Sequence, residues 1–117
     1  MRSATIILAV SAVLVALPAM AAALSPDEIK TTFATGKPFS AVSASGKTFK
    51  MTFKDDGSAL MLAKGAKKGQ AGKWHLSDKG YCTTWGKSSE HCYTVEKGAK
   101  QYDVLDGSGK LVAHWTL

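Results

Sequence analysis

The sequence has no arginine after Arg2: the other fourteen of its fifteen basic side chains are lysines, and these, with all nine acids, lie beyond residue 23. The planar guanidinium fork that grips phosphates and guanine edges is therefore missing, which argues against a nucleic-acid partner. Lysine is a hydrated point charge. Spread over a surface it keeps a protein soluble and gives weak attraction to anionic material such as phospholipid head groups or acidic glycans.

Long apolar runs are also missing. The longest, Ala4 to Leu17, has fourteen positions, short of the roughly 20 residues a membrane-spanning helix needs. No internal repeat is visible. The three histidines, His75, His91 and His114, show neither H-x-H nor H-E-x-x-H spacing, so no metal site is readable locally. The lysine and glycine segment Lys64 to Gly72 lacks the spacing of a phosphate loop, and no helix follows it.

What is present begins with Met1-Arg2-Ser3, the apolar run, Pro18, and the small residues Ala19 to Ala23. This is the pattern of a cleaved secretory signal peptide over residues 1–23, with cleavage after Ala21 or Ala23 both satisfying the A-x-A rule and Ala23 preferred. The product, Leu24 to Leu117, is expected to be one small monomeric domain in the periplasm or outside the cell. Its core is modest, so a disulfide is useful.

Ser25-Pro26-Asp27-Glu28 reads as a helix start: Ser25 at the N-cap, Pro26 at the first helical position, and Glu28 completing a capping box. A short helix over 26–35 follows, docked by Ile29 and Phe33 and ended by Gly36 and Pro38. Beyond it the spacing predicts eight short strands: Phe39 to Ser43, Thr48 to Phe53, Ser58 to Ala63, Lys73 to Ser77, Tyr81 to Trp85, His91 to Glu96, Gln101 to Leu105 and Leu111 to Leu117. Glycine-rich turns separate them. Alternation such as Phe49, Met51, Phe53 against Thr48, Lys50, Thr52 gives each strand one apolar face. In the last strand Leu111, Ala113 and Trp115 form that face. The expected fold is all-β, a small antiparallel up-and-down barrel or strongly curved meander, its interior mostly filled by aromatic side chains.

The stretch Tyr81 to Val95 holds both cysteines and reads as a hairpin turning through Gly86 to Ser88. Cys82 then faces Cys92, Tyr81 faces Tyr93, and Thr83 faces His91. Opposed residues of this kind have Cα atoms roughly 4.5 Å apart, within reach of a disulfide. Closing so short a loop contributes about 3 kcal/mol in the chain-entropy view. Strand parity separates His91 from Cys92 and the disulfide uses both thiols, so no nucleophile with a histidine base can be assembled. Asp55 and Asp56 sit in a tight turn where aspartate serves the backbone. The sequence therefore predicts no enzyme, no catalytic residues and no cofactor. Residues suited to contact a ligand or partner are Trp85, Lys87, Glu90 and His91 near the hairpin tip, with Lys64, Lys67 and Lys68 in the longest loop.

The series Gly72-x-Trp74, Cys82-x-x-Trp85, Cys92-Tyr93-x-Val95, Tyr102-x-Val104 and Gly109 resembles a family of small exported alphaproteobacterial proteins of unknown function. The resemblance implies a periplasmic or secreted β-domain and supplies no site residues. The Gly72-x-Trp74 pair is also similar to the G-x-W of lipocalins, where it opens the first strand; here it opens the fourth.

Together these observations predict a non-enzymatic binding module of the bacterial envelope, taking an anionic envelope component or a small apolar ligand. A second reading is an inhibitor of an envelope or host hydrolase. A protease fits that reading better than a lysozyme, because lysozymes are generally basic and the net charge of +6 remains +5 once Arg2 is removed. A third is a periplasmic metal-binding protein whose copper or zinc site is assembled from distant strands.

Overall fold

The computed structural model describes residues 22–117. The leader expected at 1–23 lies outside the described residues except for Ala22 and Ala23. These form a two-residue strand, β1 (Ala22–Ala23), followed by α1 (Pro26–Phe33) and β2 (Phe39–Ser43), β3 (Thr48–Phe53), β4 (Ser58–Ala63), β5 (Gln70–Leu76), β6 (Tyr81–Trp85), β7 (His91–Lys97), β8 (Tyr102–Asp106) and β9 (Leu111–Thr116). Each strand from β2 to β9 pairs antiparallel with the next. β9 then returns to β2, from Ser40 opposite Thr116 to Ser43 opposite Ala113. The result is a closed eight-stranded barrel.

β1 stands apart from that ring. β6 covers only the first part of β7, from Thr83 opposite His91 to Tyr81 opposite Tyr93. The uncovered edge of β7 takes β1 instead, with Ala23 opposite Glu96 and Ala22 opposite Lys97, and the Leu24 N–H donates to the Val95 carbonyl at 2.7 Å. An edge that would otherwise present bare backbone is thereby paired.

The capping box forms as the residue types require. The Ser25 hydroxyl accepts from the Glu28 N–H and the Glu28 carboxylate accepts from the Ser25 N–H, both at 3.2 Å. Ile29 and Phe33 are fully buried, and the Phe33 ring sits 4.9 Å from Phe39 and 4.8 Å from Trp115. α1 thus plugs one end of the barrel. It stops at Phe33, two residues short of the expected end. The reason is tertiary: Gly36, at φ 76°, donates its N–H to the Phe53 carbonyl and ties the chain to β3.

Above the plug the interior is aromatic. Phe53 stacks on Trp74 at 5.1 Å and meets Tyr81 and Trp115 at 5.5 and 5.8 Å. The Trp74 indole N–H donates to the Lys54 carbonyl at 2.6 Å, so this large ring is buried without an orphan donor.

Two further strand expectations are corrected. β5 starts at Gln70 rather than Lys73, because Leu60 and Met61 of β4 pair with Ala71 and Gln70 across the hairpin. Weak strand formers are recruited by a partner that offers backbone bonds. In β9 a register shift against β8 places Leu111, not Val112, opposite Leu105, while Ala113 stays opposite Val104. Val112 then packs on the core in place of Leu111.

Candidate functional site

A meander puts alternate turns at the same end. The end away from α1 carries the turns 44–47, 64–69, 86–90 and 107–110; the plugged end carries 54–57, 77–80 and 98–101. The first set contains Lys47, Lys64, Lys67, Lys68, Lys87 and Lys110 against Glu90 and against Asp106, whose carboxylate caps the last turn by accepting from the Ser108 and Lys110 N–H groups. In the second set Lys54, Lys79 and Lys100 are matched by Asp55, Asp56 and Asp78. The molecule is therefore polarised, with an electropositive mouth opposite a balanced, plugged base.

Below that mouth the aromatic filling is incomplete. A cavity of about 200 Å³ is walled by Phe49, Met61, Trp85, Val112 and Trp115, with Thr83, Tyr81 and Tyr93 as its members that carry a hydroxyl. Burial pushes the Tyr93 phenol above its ordinary value, an effect that the Thr83 hydroxyl partly offsets by hydrogen bonding. Phe49 and Met61 also wall an adjoining depression of about 390 Å³ at the rim, whose polar lining includes Lys47, Lys68 and Gln70. A larger trough of about 550 Å³ runs along the outside of the barrel between Ser77 to Lys79 and Asp106 to Gly109. It lies on the outer wall, whereas the smaller cavity is lined by inward-facing residues of the barrel and opens toward solvent. The barrel mouth is the better site for that reason.

Trp85 is held there by a glycine. It lies across from Gly72 on β5, and a Cβ on Gly72 would fall 2.4 Å from the Trp85 ring. The missing side chain makes room for the indole to lie over the strand. The Gly72-x-Trp74 and Cys82-x-x-Trp85 patterns are thus two halves of one packing arrangement.

The residues expected to make contact all fall at this end. Trp85 lines the cavity and Lys68 the rim depression; Lys64, Lys67, Lys87, Glu90 and His91 are exposed around them. Glu90 is already engaged, reaching back to the Nε2 of His75, with the His75 Nδ1 3.0 Å from the Leu76 carbonyl. That carboxylate, chiefly, and then the carbonyl raise the His75 pKa above its ordinary 6.5. Lys47 and Lys110 belong to the same rim and were missed by motif reading. The parity of the turns was the signal that would have found them.

The hairpin disulfide joins Cys82 to Cys92 with Cα atoms 3.9 Å apart, the close approach of a non-hydrogen-bonded pair. Cys82 is 2% exposed on the outer wall, and Cys92 is open to solvent. His75, Cys82 and Cys92 lie in one row across β5, β6 and β7. Comparison of the chain with protein-family models, curated proteins and solved structures returns no match.

Proposed function

We propose that this protein is an exported, non-enzymatic binding module of the bacterial envelope whose ligand is an apolar chain with an anionic head. The observation that carries this is the pairing of an apolar cavity with a rim of six lysines and two acids, Glu90 and Asp106, at the unplugged end of the barrel. The apolar walls supply burial without direction, and the lysines select the sign of the head group. Thr83 and Tyr93 are polar groups inside the cavity that can orient a ligand.

Tryptophan fluorescence tests it, because Trp85 and Trp115 both wall the cavity. Dodecanoate, dodecanol and dodecyltrimethylammonium share one chain and differ in head-group charge. The acid is expected to perturb the emission at the lowest concentration and the cation at the highest. Val112→Phe, which fills the cavity without adding an indole, is expected to remove the response. A flat titration with all three, or the same response in the filled variant, sinks the reading.

A further inference from the structure

The outer wall carries a second constellation, which shares only Glu90 with the barrel mouth. His75 on β5, Cys82 on β6 and Glu90 in the turn before β7 each place a ligand-type atom within 4.8 Å of the others. Cys92 is directly across from Cys82 and bonded to it. Cross-strand pairing, not sequence spacing, makes this cluster: His75 opposes Cys82, Cys82 opposes Cys92, and the short β6–β7 turn returns Glu90 to His75. While the disulfide stands, the sulfurs are poor ligands, since metals take thiolates. Three donors of the set that suits a tetrahedral zinc ion are nonetheless gathered together, and Cys92 stands next to them as the partner of Cys82.

We propose that reduction of the Cys82–Cys92 disulfide opens a site for one borderline-soft divalent cation of the zinc type, held by Cys82, Cys92, His75 and Glu90. The reductant is a dithiol. Its thiolate attacks the exposed Cys92 sulfur, the sulfur–sulfur bond breaks, and Cys82 leaves as a thiolate. The second thiol of the reductant then resolves the mixed disulfide, leaving the protein as a dithiol and the reductant as a disulfide, two electrons having passed between them. Cation binding displaces the remaining thiol protons. The His75 Nδ1–H stays on the Leu76 carbonyl, which leaves Nε2 as the donating nitrogen and fixes the ring. Glu90 exchanges its bond to that nitrogen for a bond to the metal. His75 and Glu90 side chains are 60% and 48% exposed, so the cation has a path from solvent.

The competing account is that His75 and Glu90 form a surface ion pair and nothing more. Zinc titration against a chromophoric chelator separates the two, using oxidised protein and anaerobically reduced protein freed of reductant. The reduced form is expected to take one zinc per chain and the oxidised form none. His75→Ala and Glu90→Gln are each expected to weaken uptake by the reduced form by at least roughly tenfold, as loss of a tuned ligand or its support does. Near-ultraviolet circular dichroism follows the fold alongside. If reduction loosens the barrel, restoration by zinc in the parent and not in His75→Ala supports the site, because the fold alone brings these residues together. No uptake, uptake unchanged in both variants, equal uptake by the oxidised form, or a loosened chain that zinc leaves loosened overturns it.

Discussion

At Gly72 the absence of a side chain is itself a packing element. A methyl group there meets the Trp85 ring at 2.4 Å and the Thr84 carbonyl at 2.8 Å, and the carbonyl belongs to a ladder that cannot give way. Gly72→Ala should therefore push the indole off its seat and cost about 1–3 kcal/mol, as overpacking does. Urea unfolding measures the loss, and a red-shifted tryptophan emission locates it. Titration of single groups sets the pH profile. The His75 pKa is raised in the fold, so the ion pair with Glu90 contributes fully below the unfolded value of 6.5 and fades as pH rises through the folded one. Asp56 and Asp106 act in the opposite sense. Each accepts from the serine two residues on, Ser58 and Ser108, which lowers its pKa below 3.8, so their contribution is held above that value and lost as pH falls through the folded one. Melting temperature against pH should peak between the two limits. His75→Gln should flatten only the decline above pH 6.5. Strand parity made Trp85 and the disulfide legible at this scale. The Glu90 contact with His75 was not, because it depends on how a turn folds back over a neighbouring strand.

Among the elements, α1 is the most self-contained. Its start was legible because a capping box is a contract between residues three apart. Its stop at Gly36 was legible as well, but not its last residue, Phe33, because the Gly36 bond to Phe53 is made with a strand that the local sequence does not contain. The same division separates the two halves of its energetics. Ser25→Ala breaks a local cap and should cost about 1 kcal/mol. Phe33→Ala empties the plug where Phe39, Tyr102 and Trp115 meet and should cost about 3–5 kcal/mol. Thermal unfolding of the two variants tests the ranking; a cap loss larger than the plug loss contradicts it. The extension of β5 to Gln70 and the shift in β9 follow the helix end in kind. Each is imposed by a neighbouring strand on residues whose own preferences are weak or neutral.

For the molecule as a whole, the meander was legible as eight alternating runs punctuated by glycine. Closure was settled by β9 reaching β2, a pairing between chain ends that no local pattern announces. The unfilled mouth was illegible for a related reason: a cavity is the volume that packed side chains fail to occupy, and composition alone gives no account of it. Charge polarity, however, follows from turn parity and yields a prediction. Attraction by exposed lysines is screened over about 10 Å at 0.1 M salt. Raising salt to 1 M should therefore weaken binding of dodecanoate severalfold while leaving dodecanol unchanged or slightly tighter, as isothermal titration can show. Equal salt responses would mean the lysine rim takes no part.

The return of β9 to β2 also orders events in time. Every pairing from β2 to β9 but one joins neighbours along the chain, whereas the last joins Ser40 to Thr116. A pairing so distant in sequence must await a long loop search, and such topologies fold slowly. Until the final six-residue strand emerges, β2 and β8 both stand as open edges able to recruit another chain. The barrel is thus vulnerable throughout its synthesis and becomes protected in one step, at its last strand.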